Sequence, residues 1–240
     1  VREGDHSSLA CIDRLATSKA KLVAKQDCII CGVDIARMVF ELVDDKLQFQ
    51  AFASDGQRIK KGDIVFKVEG SAISILTAER TLLNYMQRLS GIATTTSEYV
   101  SLIAGTSARL LDTRKTTPTM RILEKYAVKT GGGTNHRIGL FDMIMLKDNH
   151  IDFAGGIEKA IDRTLQYLKD KQLDLKIEIE VRNFEELQRV LVKGGVNRIM
   201  LDNFSVEDTQ KAVKMIDHKY EIESSGGITA ENILSYAQTG

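Results

Sequence analysis

The sequence predicts an α/β protein with two domains, an N-terminal α/β (α+β) domain over residues 1–92 and a parallel α/β barrel over residues 93–240. Two observations predict this class. In the second part, short apolar segments alternate with stretches of helical periodicity, and the segment ends recur about every 20 to 35 residues, the length of a strand–helix–strand unit. The first part contains strands punctuated by turns, without that alternation.

Five segments in the second part are predicted as parallel strands, because each is short and either apolar or alternating. They are RLLDT (109–113), DMIML (142–146), IEIEV (177–181), RIMLD (198–202) and EIESS (221–225). In a closed or nearly closed α/β barrel, the carboxyl ends of the strands carry the active-site residues. Polar residues at these five ends are therefore the first candidates for a functional site.

The N-terminal part predicts two short strands and a helix that begins near Gly32, followed by hairpin-like strands with turns at Asp55-Gly56 and Lys61-Gly62-Asp63. A long helix over residues 78–105 is predicted to link the two domains, with Ser90-Gly91 as a candidate break. Thr117-Pro118 predicts the start of a further helix, because proline suits the first helical position.

Composition argues against two classes of partner. The 33 basic and 33 acidic residues cancel, so the overall charge gives no basis for nucleic-acid binding. No apolar run approaches the length of about 18 residues that a membrane span requires. The polar segment VREGDHSS does not resemble a secretory signal, so a cytoplasmic protein is expected.

Cys28 and Cys31 form a C-x-x-C pair, a spacing found in zinc sites and in thiol exchange. No second such pair follows, and Cys11 with the four histidines does not complete a zinc spacing. The surrounding DCIICGV is typical of a buried strand that turns into a helix, where cysteine acts as a small apolar residue. A structural role is therefore favoured for this pair.

Basic residues are concentrated in three short runs. The runs are DTRKTTP (112–118), GGGTNHR (131–137) and MLKDNH (145–150). Arg114 and Lys115 directly follow a predicted strand and stand among threonine hydroxyls. Arginine offers a rigid fork of donors to carboxylate or phosphate, and lysine acts as a point charge. For Arg114 and Lys115, an anion-binding site is therefore favoured over an ordinary pair of solvent-exposed charges.

The second and third runs add three further candidates for anion binding. His136 and Arg137 follow three glycines, which let the backbone turn sharply. A lone histidine is usually structural, but one between Asn135 and Arg137 after such a turn is a candidate ligand. Lys147 ends the second predicted strand.

Carboxylates are concentrated on the later strands. Glu178 and Glu180 alternate with apolar residues, so both face the same side of their strand. In a barrel that side is the interior, where carboxylates need cations from basic side chains or a metal. A hard cation such as Mg²⁺ suits Glu180 together with Asp202, which ends the next strand. An internal salt-bridge network with Lys115 and Lys147 is the alternative, and the two are compatible.

A glycine turn, Ser225-Gly226-Gly227, ends the last predicted strand and precedes a predicted helix with Thr229 as a plausible N-cap. Free backbone N–H groups at such a turn bind phosphate readily. In company with the other strand ends, this turn is a candidate phosphate site.

Together these motifs resemble one family, quinolinate phosphoribosyltransferase, also called nicotinate-nucleotide pyrophosphorylase (carboxylating). The segments, in family order and across nearly the whole chain, are GDHSSLAC, AERTLLNYMQRLSGIAT, LLDTRKTTP, KYAVKTGGGTNHRIGLFDMIMLKDNH, EIEV, IMLDNF and ESSGGIT. The resemblance implies an incomplete parallel α/β barrel of the type II phosphoribosyltransferase kind. It also implies the reaction of quinolinate with phosphoribosyl pyrophosphate to nicotinate mononucleotide, carbon dioxide and pyrophosphate, with Mg²⁺, in de novo NAD biosynthesis.

The resemblance carries roles to individual residues. Positions that match binding of the quinolinate carboxylates or neighbouring phosphates are Arg80, Arg114, Lys115, His136, Arg137 and Lys147. Glu180 and Asp202 match acidic residues near the ribose and the metal, and with Lys115 and Lys147 they form the expected catalytic set. Ser225, Gly226 and Gly227 match a phosphate-binding turn. A homodimer is implied, in which Arg80 reaches into the partner's site.

The chain departs from the family pattern at its ends and at one internal position. The family usually has a helix before the position of Val1, and continues past Gly240 into one more strand, a second phosphate-binding turn and a closing helix, so the chain is expected to be trimmed. Thr119 stands where many relatives have glycine. Two alternatives stay open: a related non-decarboxylating phosphoribosyltransferase, acting on nicotinate or associated with molybdenum transport, and a catalytically silent ligand-binding homologue.

Overall fold

The computed structural model describes residues 3–240, which form two compact units. The first unit comprises the described residues up to Ser101 together with Leu110–His136. The second comprises Leu102–Arg109 and Arg137–Gly240. The division at residue 92 that the sequence suggests stays a prediction.

The first unit is built on a three-stranded antiparallel sheet. Its elements are α1 (His6–Cys11), β1 (Thr17–Val23), β2 (Cys28–Ile29), α2 (Val33–Val43), β3 (Gln48–Ala51), β4 (Arg58–Ile59), β5 (Ile64–Ser71), α3 (Ala72–Leu102) and α4 (Arg121–Thr130). The sheet order is β1-β5-β3, and β2 pairs with β4. Phe40, Phe49 and Phe66 pack with ring centroids 4.9 to 5.9 Å apart, which joins α2 to the sheet. The predicted strands and the helix near Gly32 are confirmed.

Two helix boundaries in this unit differ from the sequence-based expectation. The break expected at Ser90-Gly91 is wrong, because α3 continues through both residues. The buried Ser90 hydroxyl accepts the N–H of Cys31 at 2.9 Å, a partner outside its own helix, so the helical ladder is intact. The helix expected to start at Pro118 begins instead at Arg121, because Thr119 has a left-handed φ of 68° that a right-handed helix cannot contain.

The second unit is built on a parallel sheet with helices between its strands. Its elements are β6 (Ile144–Leu146), α5 (Asp148–Ala154), α6 (Ile157–Lys171), β7 (Ile177–Val181), α7 (Phe184–Lys193), β8 (Arg198–Asp202), α8 (Val206–Ile216), β9 (Glu221–Ser225) and α9 (Ile233–Ala237). The sheet order is β6-β7-β8-β9, and every neighbouring pair is parallel. This confirms the predicted α/β class, a small N-terminal α+β part followed by a parallel-sheet part.

The two faces of the parallel sheet have opposite chemistry. One face carries the apolar residues of the alternation, and Ile179, Ile199 and Leu201 are completely buried in the core that the helices cover. Each such side chain contributes about 1.5–3 kcal/mol to folding. The pleat sends the alternate residues to the opposite face. That face, called the polar face below, carries Met145, Glu178, Glu180, Arg198, Met200, Asp202, Glu221, Glu223 and Ser225.

Predicted and observed strands agree best where the alternation is strongest. The segments 177–181, 198–202 and 221–225 are strands with those bounds, and the segment 142–146 is a strand only from Ile144. The expected strand at 109–113 is wrong, because it makes only an isolated bridge between Leu111 and Thr134. Asp112, beside that bridge, uses its side chain to bond Lys125 and the backbone of His136, so side chains fix this segment in place of a ladder.

None of the helices within residues 3–240 combines the length and the apolar character that a bilayer span requires.

Candidate active site

The carboxyl edge of the parallel sheet carries a lysine–glutamate pair. Lys147 follows β6 and Glu180 is the fourth residue of β7, so both lie at the same edge of the sheet. Lys147 Nζ lies 2.7 Å from Glu180 Oε2. The Glu180 side chain is nearly buried, whereas that of Lys147 is 45% exposed and accessible to an anion. The backbone N–H of Lys147 donates to Nδ1 of His150 at 3.0 Å, which fixes the start of α5.

Asp202 ends β8, beside the glycine turn that ends β9. Asn203, in a left-handed conformation with a φ of 55°, donates its backbone N–H to the carbonyl of Ser225 at 2.8 Å. Its side-chain amide donates to Asp202 Oδ2 at 2.9 Å. A Cβ atom at Gly226 would lie 2.2 Å from Asn203 Oδ1, so this position requires glycine. The two strand ends are therefore bound tightly to each other.

The turn itself needs its glycines for conformational reasons. Gly226 and Gly227 have φ values of 93° and 66°, which residues with a Cβ rarely adopt. A helix follows the turn as expected, but the N-cap expected at Thr229 is wrong, because α9 begins at Ile233 with Asn232 at its N-cap. Asn232 instead closes the turn, with its amide donating to the carbonyl of Gly227 at 3.0 Å and its Oδ1 accepting the N–H of Thr229.

Arg198 is a partly buried cation on the polar face of the sheet, and the sequence analysis did not select it. Its guanidinium lies 2.7 Å from Glu221 Oε2, 3.2 Å from Glu223 Oε2 and 3.6 Å from Glu178 Oε2. The expectation that Glu178 and Glu180 share an interior face and need cations is confirmed. The alternation of RIMLD already placed Arg198 on the face of Asp202, and that was the available signal.

Arg137 lies within the second unit and contacts the start of β6. Its Nη1 donates to the carbonyl of Met143 at 3.2 Å, and its Nη2 lies 3.5 Å from Met145 Sδ. The guanidinium is therefore held beside the polar face that carries Met145.

Arg114 and Lys115 lie in the first unit, in the irregular segment before α4. Lys115 is exposed, and its backbone N–H donates to Thr113 Oγ1 at 3.0 Å. Arg114 Nε is buried and has no hydrogen-bond partner within residues 3–240. A buried donor without a partner is costly, and a substrate anion is the kind of group that would satisfy it.

His136 is fixed through its backbone by a buried ion pair. Lys125 and Asp112 pair directly, and their side chains are only 2% and 7% exposed. Asp112 Oδ1 also accepts the N–H of His136 at 2.8 Å, and Lys125 Nζ donates to the carbonyl of His136 at 3.0 Å. The pair therefore holds the segment that presents His136.

The three glycines before His136 allow α4 to pack closely on α3. A Cβ atom at Gly131 would lie 2.3 Å from the carbonyl oxygen of Ala93, and one at Gly133 would lie 2.7 Å from a Val128 methyl group. Gly132 has a φ of 94°. The sharp turn expected from GGGTNHR is confirmed, and close packing is a second reason for its glycines.

Arg80, another residue selected from the sequence, is exposed on α3, and its role across a dimer interface stays a prediction.

The two cysteines of the C-x-x-C pair are shielded from solvent to different degrees. Cys31 is completely buried and Cys28 is half-buried. Burial raises the pKa of Cys31 to about 12 and also raises that of Cys28. Both are poor nucleophiles at neutral pH, in agreement with a structural role.

The strand ends by themselves define a class of protein. It is an α/β protein whose parallel sheet carries a lysine, two carboxylates and a glycine turn at its carboxyl edge. This edge is the place where α/β proteins bind phosphorylated ligands. The model of the N-terminal domain of quinolinate phosphoribosyl transferase matches residues 5–90, and that of the C-terminal domain matches residues 92–240. The chain therefore belongs to the quinolinate phosphoribosyl transferase family.

Individual relatives agree with the family models. A mitochondrial quinolinate phosphoribosyltransferase (decarboxylating) of Nicotiana tabacum is 42% identical over 99% of this chain and 71% of its own length. The structure of nicotinate-nucleotide pyrophosphorylase from Francisella tularensis matches with a TM-score of 0.93 and 40% identity, covering 100% of this chain and 83% of that one. NadC from Streptococcus pyogenes matches with a TM-score of 0.93 and 39% identity over 98% and 82% of the two chains.

Proposed function

We propose that the protein transfers the phosphoribosyl group of phosphoribosyl pyrophosphate to quinolinate with decarboxylation, forming nicotinate mononucleotide, carbon dioxide and pyrophosphate in NAD biosynthesis. The observation that carries the proposal is the Lys147–Glu180 pair at the carboxyl edge of the sheet, in a chain that both quinolinate phosphoribosyl transferase domain models match along its length. The family match and the curated relative favour this function over the non-decarboxylating and silent alternatives.

Quinolinate is a dicarboxylate, so its recognition requires several donors. Arg114 supplies a guanidinium with a buried donor that lacks a partner among the described residues, and Lys115 supplies an exposed ammonium group. His136, Arg137 and Lys147 complete the proposed binding set. Each charge-assisted hydrogen bond to a carboxylate contributes about 1.5–3 kcal/mol.

The transfer step is a substitution at the anomeric carbon of the sugar. The ring nitrogen of quinolinate forms a bond to that carbon while the bond to the pyrophosphate oxygen breaks, and the electron pair leaves with pyrophosphate. Glu180 and Asp202 stabilise the positive charge that develops on the sugar, and Lys147 orients Glu180 through a contact of 2.7 Å. The backbone N–H groups of Ser225, Gly226 and Gly227 are proposed to bind a phosphate group.

Decarboxylation follows once the ring nitrogen carries the sugar and is cationic. The bond between the ring and the 2-carboxylate breaks, its electron pair stays on the ring carbon next to the positive nitrogen, and that carbon then takes up a proton. The departing group is carbon dioxide. In neither of these two reaction steps does a side chain act as a nucleophile.

Glu180 and Asp202 are proposed to hold Mg²⁺ together with substrate phosphates. Lys147 bonds one oxygen of Glu180, and Asn203 bonds one oxygen of Asp202. Among the described residues each carboxylate keeps its second oxygen for another ligand, and hard oxygen donors of this kind fit Mg²⁺. When bound, the ion would neutralise charge on the departing pyrophosphate.

A homodimer and a cytoplasmic location complete the proposal. Arg80 is exposed on α3 and is proposed to serve the partner's site. The tobacco relative is named as mitochondrial, so the compartment of this chain stays a prediction.

The deciding experiment mixes the protein with quinolinate, phosphoribosyl pyrophosphate and Mg²⁺ and follows carbon dioxide and nicotinate mononucleotide together, with nicotinate as the control substrate. Release of both products in step, without turnover of nicotinate, is the expected result. Turnover of nicotinate in place of quinolinate would overturn the proposed substrate. Binding of quinolinate with no turnover of either substrate would instead support the silent homologue.

A further inference from the structure

We propose that Arg88 and Glu124 are positioning residues that hold segment 113–118, the basic loop, in the conformation that presents Arg114 and Lys115 to substrate. This inference rests on the proposed function, because it is the binding of quinolinate by the basic loop that gives the two residues a role.

Glu124 lies in the first turn of α4 and is almost completely buried. Its Oε1 accepts hydrogen bonds from Arg88 Nε at 2.8 Å and from Arg88 Nη2 at 2.5 Å. Its Oε2 accepts the backbone N–H of Thr117 at 3.1 Å, while Arg88 Nη2 also donates to Thr117 Oγ1. The three residues thus form a closed ring that joins α3, α4 and the basic loop, and we call this ring the clamp.

The electrostatics of the clamp agree with a tight contact. Burial by itself would raise the pKa of Glu124, but the hydrogen bonds from Arg88 and Thr117 outweigh it, and the pKa lies below its ordinary value. Glu124 is therefore ionised at neutral pH. An ionised carboxylate that accepts a backbone N–H restrains that peptide more strongly than a neutral acceptor does.

The basic loop depends on such contacts because it belongs to no sheet or helix. Besides the clamp, Arg121 of α4 donates to Thr116 Oγ1 at 3.3 Å and to the carbonyl of Arg114 at 3.4 Å. Lys125, the next residue after Glu124, anchors Asp112 and the backbone of His136. Helix α4 therefore holds both the basic loop and the segment that contains His136. The clamp is the contact that attaches α4 to the basic loop.

The test uses Arg88→Lys and Glu124→Gln, which keep size and polarity but remove the fork and the charge. We expect the KM for quinolinate to rise about 10- to 100-fold in both variants, with a much smaller change in kcat and in the KM for phosphoribosyl pyrophosphate. Amide hydrogen exchange at Thr117 should become faster, and this readout is independent of any activity. In the double variant the KM should rise little beyond the larger single effect, because both changes break one contact.

Arg189→Lys and Glu158→Gln are the matched controls. Arg189 makes the same kind of forked pair with Glu158 between α7 and α6, at 2.9 and 2.6 Å, and its side chain is as exposed as that of Arg88. The KM for quinolinate should not change in these controls, and because Glu158 is 44% exposed whereas Glu124 is 10% exposed, they should lose less stability than the clamp variants. An unchanged KM in the clamp variants, or equal changes in the clamp and control variants, would overturn the proposal. A wild-type protein that does not turn over quinolinate refutes the proposed function, and unchanged exchange at Thr117 refutes the clamp.

Discussion

The two groups of candidate site residues are held in place by different means. In the second unit, Glu180 and Asp202 stand on strands whose positions are set by a continuous parallel hydrogen-bond ladder. In the first unit, Arg114 and Lys115 stand on a loop without a ladder, and buried side chains of α4 hold the segments around them.

This difference shows where function is sensitive to residues that do not touch substrate. A ladder fixes the backbone whatever the side chain, so a change at a strand end should affect only the group that is removed. A loop held by ion pairs moves when either partner is lost. A substitution in the first unit that removes an ion-pair partner should therefore also displace neighbouring binding residues. The following predictions test this contrast between the two units.

The largest effect is expected from Lys125→Met in the first unit. The change leaves Asp112 as a buried charge without its cation, which should lower the free energy of unfolding by about 3–5 kcal/mol. Denaturant unfolding followed by circular dichroism measures this loss. Adding Asp112→Asn should restore part of the stability, because the unpaired charge is then removed. A loss below about 1 kcal/mol in the single variant would contradict the role given to the pair.

Glu180→Ala should have the next largest effect, on turnover and not on folding. Removal of one group that stabilises the transition state typically lowers kcat by about 10²- to 10³-fold. The free energy of unfolding should change by less than about 1 kcal/mol, because Lys147 remains in contact with water. Initial rates of carbon dioxide release measure the effect, with Glu185→Ala on the exposed side of α7 as the control. An unaltered kcat would remove Glu180 from the catalytic set.

Arg114→Ala should mainly weaken the binding of quinolinate. The loss of one or two charge-assisted hydrogen bonds should raise the KM for quinolinate about 10- to 100-fold, with little change in kcat. Steady-state kinetics with quinolinate as the varied substrate measures this, and Arg163→Ala on the exposed face of α6 is the control. If Arg114→Ala and Glu180→Ala had equal small effects on kcat, the division of roles between the two units would be wrong.

Thr119→Gly should stabilise the protein by about 1 kcal/mol. Thr119 is β-branched and has a φ of 68°, a conformation that is costly for any residue with a Cβ. Glycine adopts it freely, although the unfolded chain then gains some entropy. Thermal unfolding measures the gain. Thr119→Ala keeps the Cβ and should give a smaller one, so equal gains would show that strain at this position is not the cause.

The smallest effect is expected from the C-x-x-C pair. Raised pKa values leave Cys28 and Cys31 protonated at pH 8, so iodoacetamide should modify the exposed Cys11 and leave the pair largely unmodified. Mass spectrometry of the digested protein identifies the modified residue. Cys28→Ala should leave kcat unchanged. Rapid modification of Cys28, or a loss of activity in Cys28→Ala, would support a functional role for the C-x-x-C pair and contradict the structural one.

The sequence predicts the second unit better than the first for a physical reason. The alternation in IEIEV and RIMLD encodes strand, face and edge together, so the pattern alone assigns Glu180 and Asp202 to a common edge. In RLLDTRKTTP the same kind of pattern misleads, because only the single bridge at Leu111 forms. The partners that hold this segment, Arg88, Glu124 and Lys125, lie on helices whose periodicity gives no sign of which residues they contact.

By itself the sequence determined the family, the class of fold, the faces of the strands and the glycine positions of both sharp turns, because local patterning and backbone conformation depend on neighbouring residues. Only the tertiary structure decided which side chains hold the loops. Arg88 meets Glu124 across 36 positions of the chain, and Arg198 meets carboxylates from two other strands. Such pairs form because burial makes an uncompensated charge costly, and burial is a property of the packed molecule.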